Sequence, residues 1–272
     1  ILAGISDLIG HTDEAQAARQ RSQNYKNIFN SELNIICPRS AENGPMSCPK
    51  NPQEDFKHYT EGNALHWTYF VPHDIEGLIS LYPSPQVFEQ HLDDFFENHV
   101  KFQNIYGSLL PNPYFWAGNE PTMLTPYLFT YLRTPQACAK TQYWTRKAIR
   151  MHFNANYNGI PGNDDYAAMS SWLIFNSIGL YPLSGTDKFF ITTPIINGAT
   201  ITLKRFGNSS TKLIIKVYGN DDADAIYIHK LLVNGQERTR VMIERNELVS
   251  ADKIVLEYFL GTDPSTSLCP SQ

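Results

Sequence analysis

The sequence predicts a mixed fold, a helical part followed by a smaller β-rich region, and three observations carry that reading. Up to about Leu183, apolar residues recur at helical spacing behind Ser-Pro and Thr-Pro start signals. From about Asp187 the period shortens toward two. Asn234-Gly235 marks a tight hairpin within that second stretch.

The first element reads as a helix over Glu14–Phe29. Ser84-Pro85 opens the next clear one, with serine as N-cap and proline at the first helical position. Val87, Phe88, Leu92, Phe95, Phe96 and Val100 then fall on one face. Thr134-Pro135 repeats the signal before Ala137–Phe153, and Asp165 precedes an apolar-faced run over Met169–Ile178. Strands are expected at Phe189–Ile191, Ala199–Leu203, Lys212–Tyr218, Ala225–Ile228 and Ile254–Tyr258. A boundary is drawn near Ser184-Gly185-Thr186, dividing the chain into 1–185 and 186–272. The helical part lacks the strand–helix alternation of a nucleotide-binding fold, and no Gly-rich phosphate loop appears anywhere.

Composition narrows the function classes. A net charge of −5 provides no basic face to displace counterions, which argues against nucleic acid. No apolar run is long enough to span a bilayer. Aromatic residues make up 12% of the chain, which favours flat surfaces of the kind that stack on sugars. The chain opens on Ile1 rather than Met, and is read as a mature fragment or cleavage product. Cys37 and Cys48 flank a loop rich in Pro, Ser, Asn and Gly, where a disulfide and hence an oxidising compartment are expected; the plain alternative is four thiols. Cys138 and Cys269 receive no partner, and no Cys or His spacing suits zinc. The sequon Asn208-Ser209-Ser210 agrees with secretion.

Chemistry concentrates in three loops. The first runs from Tyr59 to Asp74 and places Glu61 among aromatic residues. Apolar surroundings disfavour the charged carboxylate and would keep Glu61 a proton donor, whereas capping by backbone amides would do the opposite. His66 and His73 read as structural or sugar-binding side chains, and Asp74 as an N-cap. The second loop, Tyr114 to Pro121, pins Asn119 and Glu120 before a proline. Hard oxygens on a stiff loop suit calcium, although one such pair does not make a site. The third, Gly159 to Trp172, sets Asp164 and Asp165 where a helix begins, and its positive end favours the ionised state a general base needs. One cap position takes one side chain, so capping alone does not account for both acids. A protonated acid and an ionised one on separate loops is the pattern of glycoside hydrolysis.

Four strings now stand in order: Tyr59-Thr60-Glu61-Gly62-Asn63-Ala64 through Phe70-Val71-Pro72-His73-Asp74, then Gly118-Asn119-Glu120-Pro121, then Gly159-Ile160-Pro161-Gly162-Asn163-Asp164-Asp165, then Ser171-Trp172 with Gly179-Leu180-Tyr181-Pro182. Together they resemble the calcium-dependent α-mannosidases of glycoside hydrolase family 92 over nearly the whole chain. The resemblance implies that residues 1–185 are part of an (α/α)6 barrel catalytic domain. It implies inverting, exo-acting hydrolysis of α-mannosidic linkages, with Glu61 as general acid, Asp165 as general base and Asp164 as a helper. It places Asn119 and Glu120 at a Ca2+ ion and assigns His66, Trp67, His73 and Trp116 to the sugar. Inverting chemistry needs the two carboxyl groups about 6.5–9.5 Å apart. The expected partners are a mannose-containing glycan and the N-terminal part of the enzyme, on the same or a separate chain, because the family's β-sandwich and first half-barrel are not in this sequence.

The sequence also departs from the family pattern. His66 stands where Gln is common, Leu65 where an aromatic is usual, Thr122-Met123-Leu124 where a His pair often follows, and Ala167-Ala168 where a more polar pair is found. These changes bear on linkage preference and metal coordination and leave both carboxylates in place. Two other readings compete: another (α/α)6 carbohydrate hydrolase of trehalase or glucoamylase type, and a sugar-binding homologue without turnover.

Overall fold

A computed structural model describes residues 1–269 except 42, 55, 56, 108, 109, 206 and 208. The sequon asparagine, Asn208, therefore lies outside the described residues. The chain forms two compact units, Ile1–Thr125 with Ser184–Thr186, and Pro126–Leu183 with Asp187–Gln272.

The first unit holds α1 (Leu2–Leu8), α2 (Thr12–Ser22), a short hairpin of β1 (Phe29–Asn30) and β2 (Ile35–Ile36), α3 (Ala64–Thr68), α4 (Ile75–Ile79) and α5 (Pro85–Tyr106). The expected Glu14–Phe29 helix stops early. It ends at Ser22, passes through a 3-10 turn over Asn24–Ile28 and gives way to β1. The cause is local capture: the Asn30 side chain accepts from the amides of Glu32 and Leu33, turning the chain so that Phe29 pairs with Ile36. α5 follows its sequence signals closely. Ser84 accepts from Val87 N, Pro85 leads, and Gly107 at φ 57° ends the helix. Phe88, Leu92, Phe95, Phe96 and His99 form its buried face, so a histidine takes a position on the apolar stripe. Tyr69, Tyr82 and Phe115 pack edge-on or tilted against these rings at centroid distances of 5.1, 4.9 and 5.4 Å.

The second unit joins α6 (Pro135–His152) and α7 (Ala168–Ser177) to two sheets. The smaller sheet has the order β3-β4-β9, from Leu180–Pro182, Lys188–Ile191 and Met242–Glu244. Pro182 fits there because β3 is an edge strand and needs no amide on its open side. The larger sheet has the order β5-β6-β10-β7-β8, with strands Gly198–Lys204, Ser210–Tyr218, Lys253–Gly261, Tyr227–Val233 and Gln236–Glu237. β6 and β10 run parallel and the other pairs antiparallel. The strict alternation along β6 turns Leu213, Ile215 and Val217 inward, where they meet Ile228, Leu231, Ile254, Leu256 and Tyr258. Asn234 and Gly235 both take positive φ, as a two-residue hairpin between β7 and β8 requires. β7 runs on to Val233, well past the expected Ala225–Ile228, because it pairs along most of β10.

The Cys37–Cys48 disulfide forms as expected. Cys138 on α6 also bonds to Cys269, a pairing that the sequence reading left unassigned. Its closed segment is long, with a sequence separation of 131 against 11 for the first bridge. Chain entropy makes a bridge over ~100 residues worth about 4–5 kcal/mol and one over ~15 residues about 3. Replacing both Cys138 and Cys269 with serine is therefore expected to destabilise the full-length protein more than the same change at Cys37 and Cys48. Denaturant midpoints compare the two, and the reverse order would refute the entropic account.

Candidate active site

Asn63, which the sequence reading passed over, organises the first loop. It is fully buried and caps α3 by accepting from His66 N, while its amide donates to the carbonyls of Gln53 and Pro113. One side chain thus ties the Glu61 loop to the loop that leads to Asn119. The Asn119 amide completes the brace by donating to the Glu61 carbonyl, and its oxygen accepts from Glu120 N. Gly62 leaves room for this packing, since a Cβ there would sit 3.1 Å from His66 Nδ1 and 3.2 Å from Trp67 Nε1. An N-cap three residues before His66 was the available signal for Asn63. Asn63→Ala should cost about 2–4 kcal/mol, one cap and at least one stranded buried carbonyl. A thermal or urea shift reads this loss, and a change below ~1 kcal/mol would show that the brace is dispensable.

Glu61 itself is exposed. Of the two surroundings the sequence left open for Glu61, apolar enclosure is not supplied by this chain. What sets Glu61 apart is its backbone, at φ 50°. Trp67, half-buried, is held by its indole N–H donating to Thr60 O at 2.9 Å. Trp116 is half-buried too, and Thr122 clasps its backbone by donating to Trp116 O and accepting from Trp116 N.

The two histidines differ from each other. His66 is 4% exposed, and burial lowers its pKa to about 4 against the opposing pull of the backbone at Tyr114, Asn112 and Pro113. It is a neutral imidazole beneath the loop, turned away from solvent. His73 Nε2 bonds to Ser22 O at 2.8 Å and its ring meets Tyr25 edge-on, fastening the end of α2. Asp74 caps α4 as expected, accepting from Gly77 N, and also accepts from Tyr25 OH. Burial raises its pKa, yet these hydrogen bonds and nearby Lys26 outweigh that and hold it below the usual carboxylate value.

In the third loop the two acids divide the work. Asp164 accepts from both the amide and the hydroxyl of Ser170, at 2.9 and 2.6 Å, in the first turn of α7. These bonds, the hydroxyl first, lower its pKa. Asp164 thus supplies the capping contact from outside, while the cap position falls on Ala167 rather than Asp165. Asp165 is exposed and opens three consecutive left-handed residues, with φ of 46°, 56° and 69° at Asp165, Tyr166 and Ala167. Each such residue costs on the order of 1–2 kcal/mol. The loop stands on fixed ground: a Cβ on Gly159 would lie 1.9 Å from Asn154 O, and buried Trp172 stacks on Phe153. Among the described residues, Glu61 and Asp165 are the only acids at positive φ.

The model of the glycosyl hydrolase family 92 catalytic domain matches residues 1–259. The chain belongs to glycosyl hydrolase family 92. It is 29% identical over 242 residues to an uncharacterized secreted glycosidase of Arthroderma benhamiae, covering 89% of this chain and 28% of that protein. Two solved structures from Bacteroides thetaiotaomicron are similar in fold. A family 92 inverting mannosidase superposes with a TM-score of 0.81 at 25% identity, over 97% of this chain and 36% of the other. A second family 92 α-mannosidase gives 0.82 at 24% identity, over 99% and 34%. The family 92 chain described here thus spans about a third of the length of these relatives, and its helices are the helical-barrel part of the family's catalytic domain, followed by the β region.

Asn119 and Glu120 are the residues of this family 92 chain that the sequence offers to a calcium ion. Among the described residues no group of three or more His, Cys, Asp or Glu is placed to hold a cation. The Asn119 amide donates to the Glu61 carbonyl and its oxygen accepts from Glu120 N, and Glu120 is the one carboxylate on that loop. The residues present do not make a calcium site by themselves. Among the described residues, no helix is long and apolar enough to cross a membrane.

Proposed function

We propose that the protein carrying this chain is an inverting, exo-acting α-mannosidase in which Glu61 is the general acid and Asp165 the general base. The observation that carries the reading is the shared strain of these two exposed carboxylates, each set on a braced loop at positive φ. Such strain persists where the surroundings impose it, and it concentrates at functional sites. Family membership and the likeness to mannosidases support the substrate class.

In the proposed reaction Asp165 takes a proton from water as the water oxygen bonds to the anomeric carbon. Glu61 gives its proton to the glycosidic oxygen as the bond to that carbon breaks. The released sugar carries the inverted anomeric configuration. Asp164 keeps the Asp165 loop on α7. Trp67 and Trp116 offer aromatic surface to the sugar, while the His73 ring fastens the end of α2. Incubating the full-length protein with the methyl glycoside of an α-linked mannobiose, whose leaving group is not free mannose, and following the first free mannose by NMR tests this. β-Mannose ahead of mutarotation is expected; α-mannose, or no hydrolysis, would overturn it.

Calcium takes most of its ligands from outside this chain, with Glu120 as this loop's contribution. Loss of activity in EDTA with recovery on adding calcium is the expected outcome, and indifference to the chelator removes the cation. Two disulfides and a secreted relative support an oxidising, extracytoplasmic location.

A further inference from the structure

We propose that Asn119 is the positioning residue of the proton donor, acting through the main chain of Glu61 rather than on substrate or cation. The proposal rests on Glu61 as general acid.

The Glu61 side chain is exposed, so the backbone beneath it sets where the carboxyl points. That backbone holds a conformation that residues other than glycine seldom adopt. Relaxing from φ 50° to the common negative region would swing the Cα–Cβ bond, and the carboxyl with it, through roughly 110–140°.

A peptide plane lies on either side of Glu61 Cα, and a side chain holds each of them. The indole N–H of Trp67 donates at 2.9 Å to Thr60 O, in the plane before Glu61. The amide of Asn119 donates to the Glu61 carbonyl, in the plane after it. Only φ and ψ turn freely between two such planes, so fixing both planes fixes both angles.

Asn119 suits this task by burial and by its own anchoring. It is 8% exposed, so water competes little for its amide. Its side-chain oxygen accepts from Glu120 N at 3.1 Å, and its backbone amide donates to Trp116 O at 3.2 Å. With the oxygen turned to Glu120 N, the amide N–H is aimed at Glu61 O, across a sequence separation of 58. The side chain is a strut from the second loop to the first. A misplacement of about 1 Å can cost ~10²-fold in rate. Here that loss falls on the step that needs the proton.

The experiment measures kcat and KM of the full-length protein on an α-linked mannobiose and on α-mannosyl fluoride, whose fluoride leaves without a proton. Asn119→Asp keeps an oxygen for Glu120 N and sets an oxygen, in place of the N–H, against Glu61 O. It should lower the mannobiose-to-fluoride ratio of kcat about tenfold to a hundredfold, with KM nearly unchanged. Asn119→Ala should give the same split. The ratio does not depend on how much of the protein is folded, so a destabilised variant still reports. An unchanged ratio overturns the positioning role. So do proportional losses on both substrates, with or without recovery on adding calcium, since they mark a part in folding or in holding a cation. Glu61→Gln separates the underlying reading: equal losses on both substrates there sink the proton donor, whereas a split at Glu61 without one at Asn119 sinks the positioning role alone. In the double variant, Asn119→Asp should leave the ratio where Glu61→Gln put it, because both changes act on one step. A further fall would show that Asn119 acts elsewhere.

Discussion

Glu61→Gln lowers kcat/KM on an α-linked mannobiose by about 10²–10⁴-fold, the usual contribution of a positioned general acid, and costs far less on α-mannosyl fluoride. The asymmetry comes from the leaving group. A sugar alkoxide is a strong base and leaves slowly unless it is protonated, whereas fluoride leaves without a proton. Every tenfold corresponds to about 1.4 kcal/mol of barrier, so the expected loss is roughly 3–5.5 kcal/mol. Glutamine keeps the size of the side chain and its exposed position. The backbone brace is also kept, because Asn119 donates to the main-chain carbonyl of residue 61 and not to its side chain. Parallel steady-state kinetics on the two substrates check this, and equal losses would remove Glu61 from the proton-donor role.

Asp165→Asn has a different signature. The base acts on water, which attacks whatever the leaving group is, so both substrates lose activity together, again by about 10²–10⁴-fold. Asp165 is exposed and lies outside the capping contact that Asp164 makes with Ser170, so the amide should leave stability nearly unchanged. Kinetics and a thermal melt on the same variant test both statements. Retained activity on either substrate would move the base elsewhere.

Much of the fold was legible because its signals are local. A Ser-Pro start and the inward residues Phe88, Leu92, Phe95 and Phe96 specify α5, whose hydrogen bonds link residues four apart. Asn234-Gly235 specifies its hairpin through the positive φ that both residues tolerate. Where the reading slipped, a neighbour in space outweighed a propensity in sequence. The helix expected to Phe29 lost its last turns to a hairpin, and β7 gained residues from pairing with β10. At the site, the residue types on the three loops were readable, but their assignments were not. Whether aromatic neighbours would enclose Glu61 was open in the sequence, and in this chain Glu61 is exposed, since adjacency along the chain does not decide which side a side chain faces.

The sequence by itself determined α5, α6, the main strands of the larger sheet, the Asn234-Gly235 hairpin, the family and the acids worth naming, because each rests on periodicity, short-range bonding or an ordered set of motifs. Tertiary structure alone decided that Asp164 binds the first turn of α7 while Asp165 stays exposed, that His66 is buried and neutral, and that Cys138 finds Cys269. Burial and pairing across many residues depend on which surfaces meet, and that is a property of the packed chain rather than of any window within it.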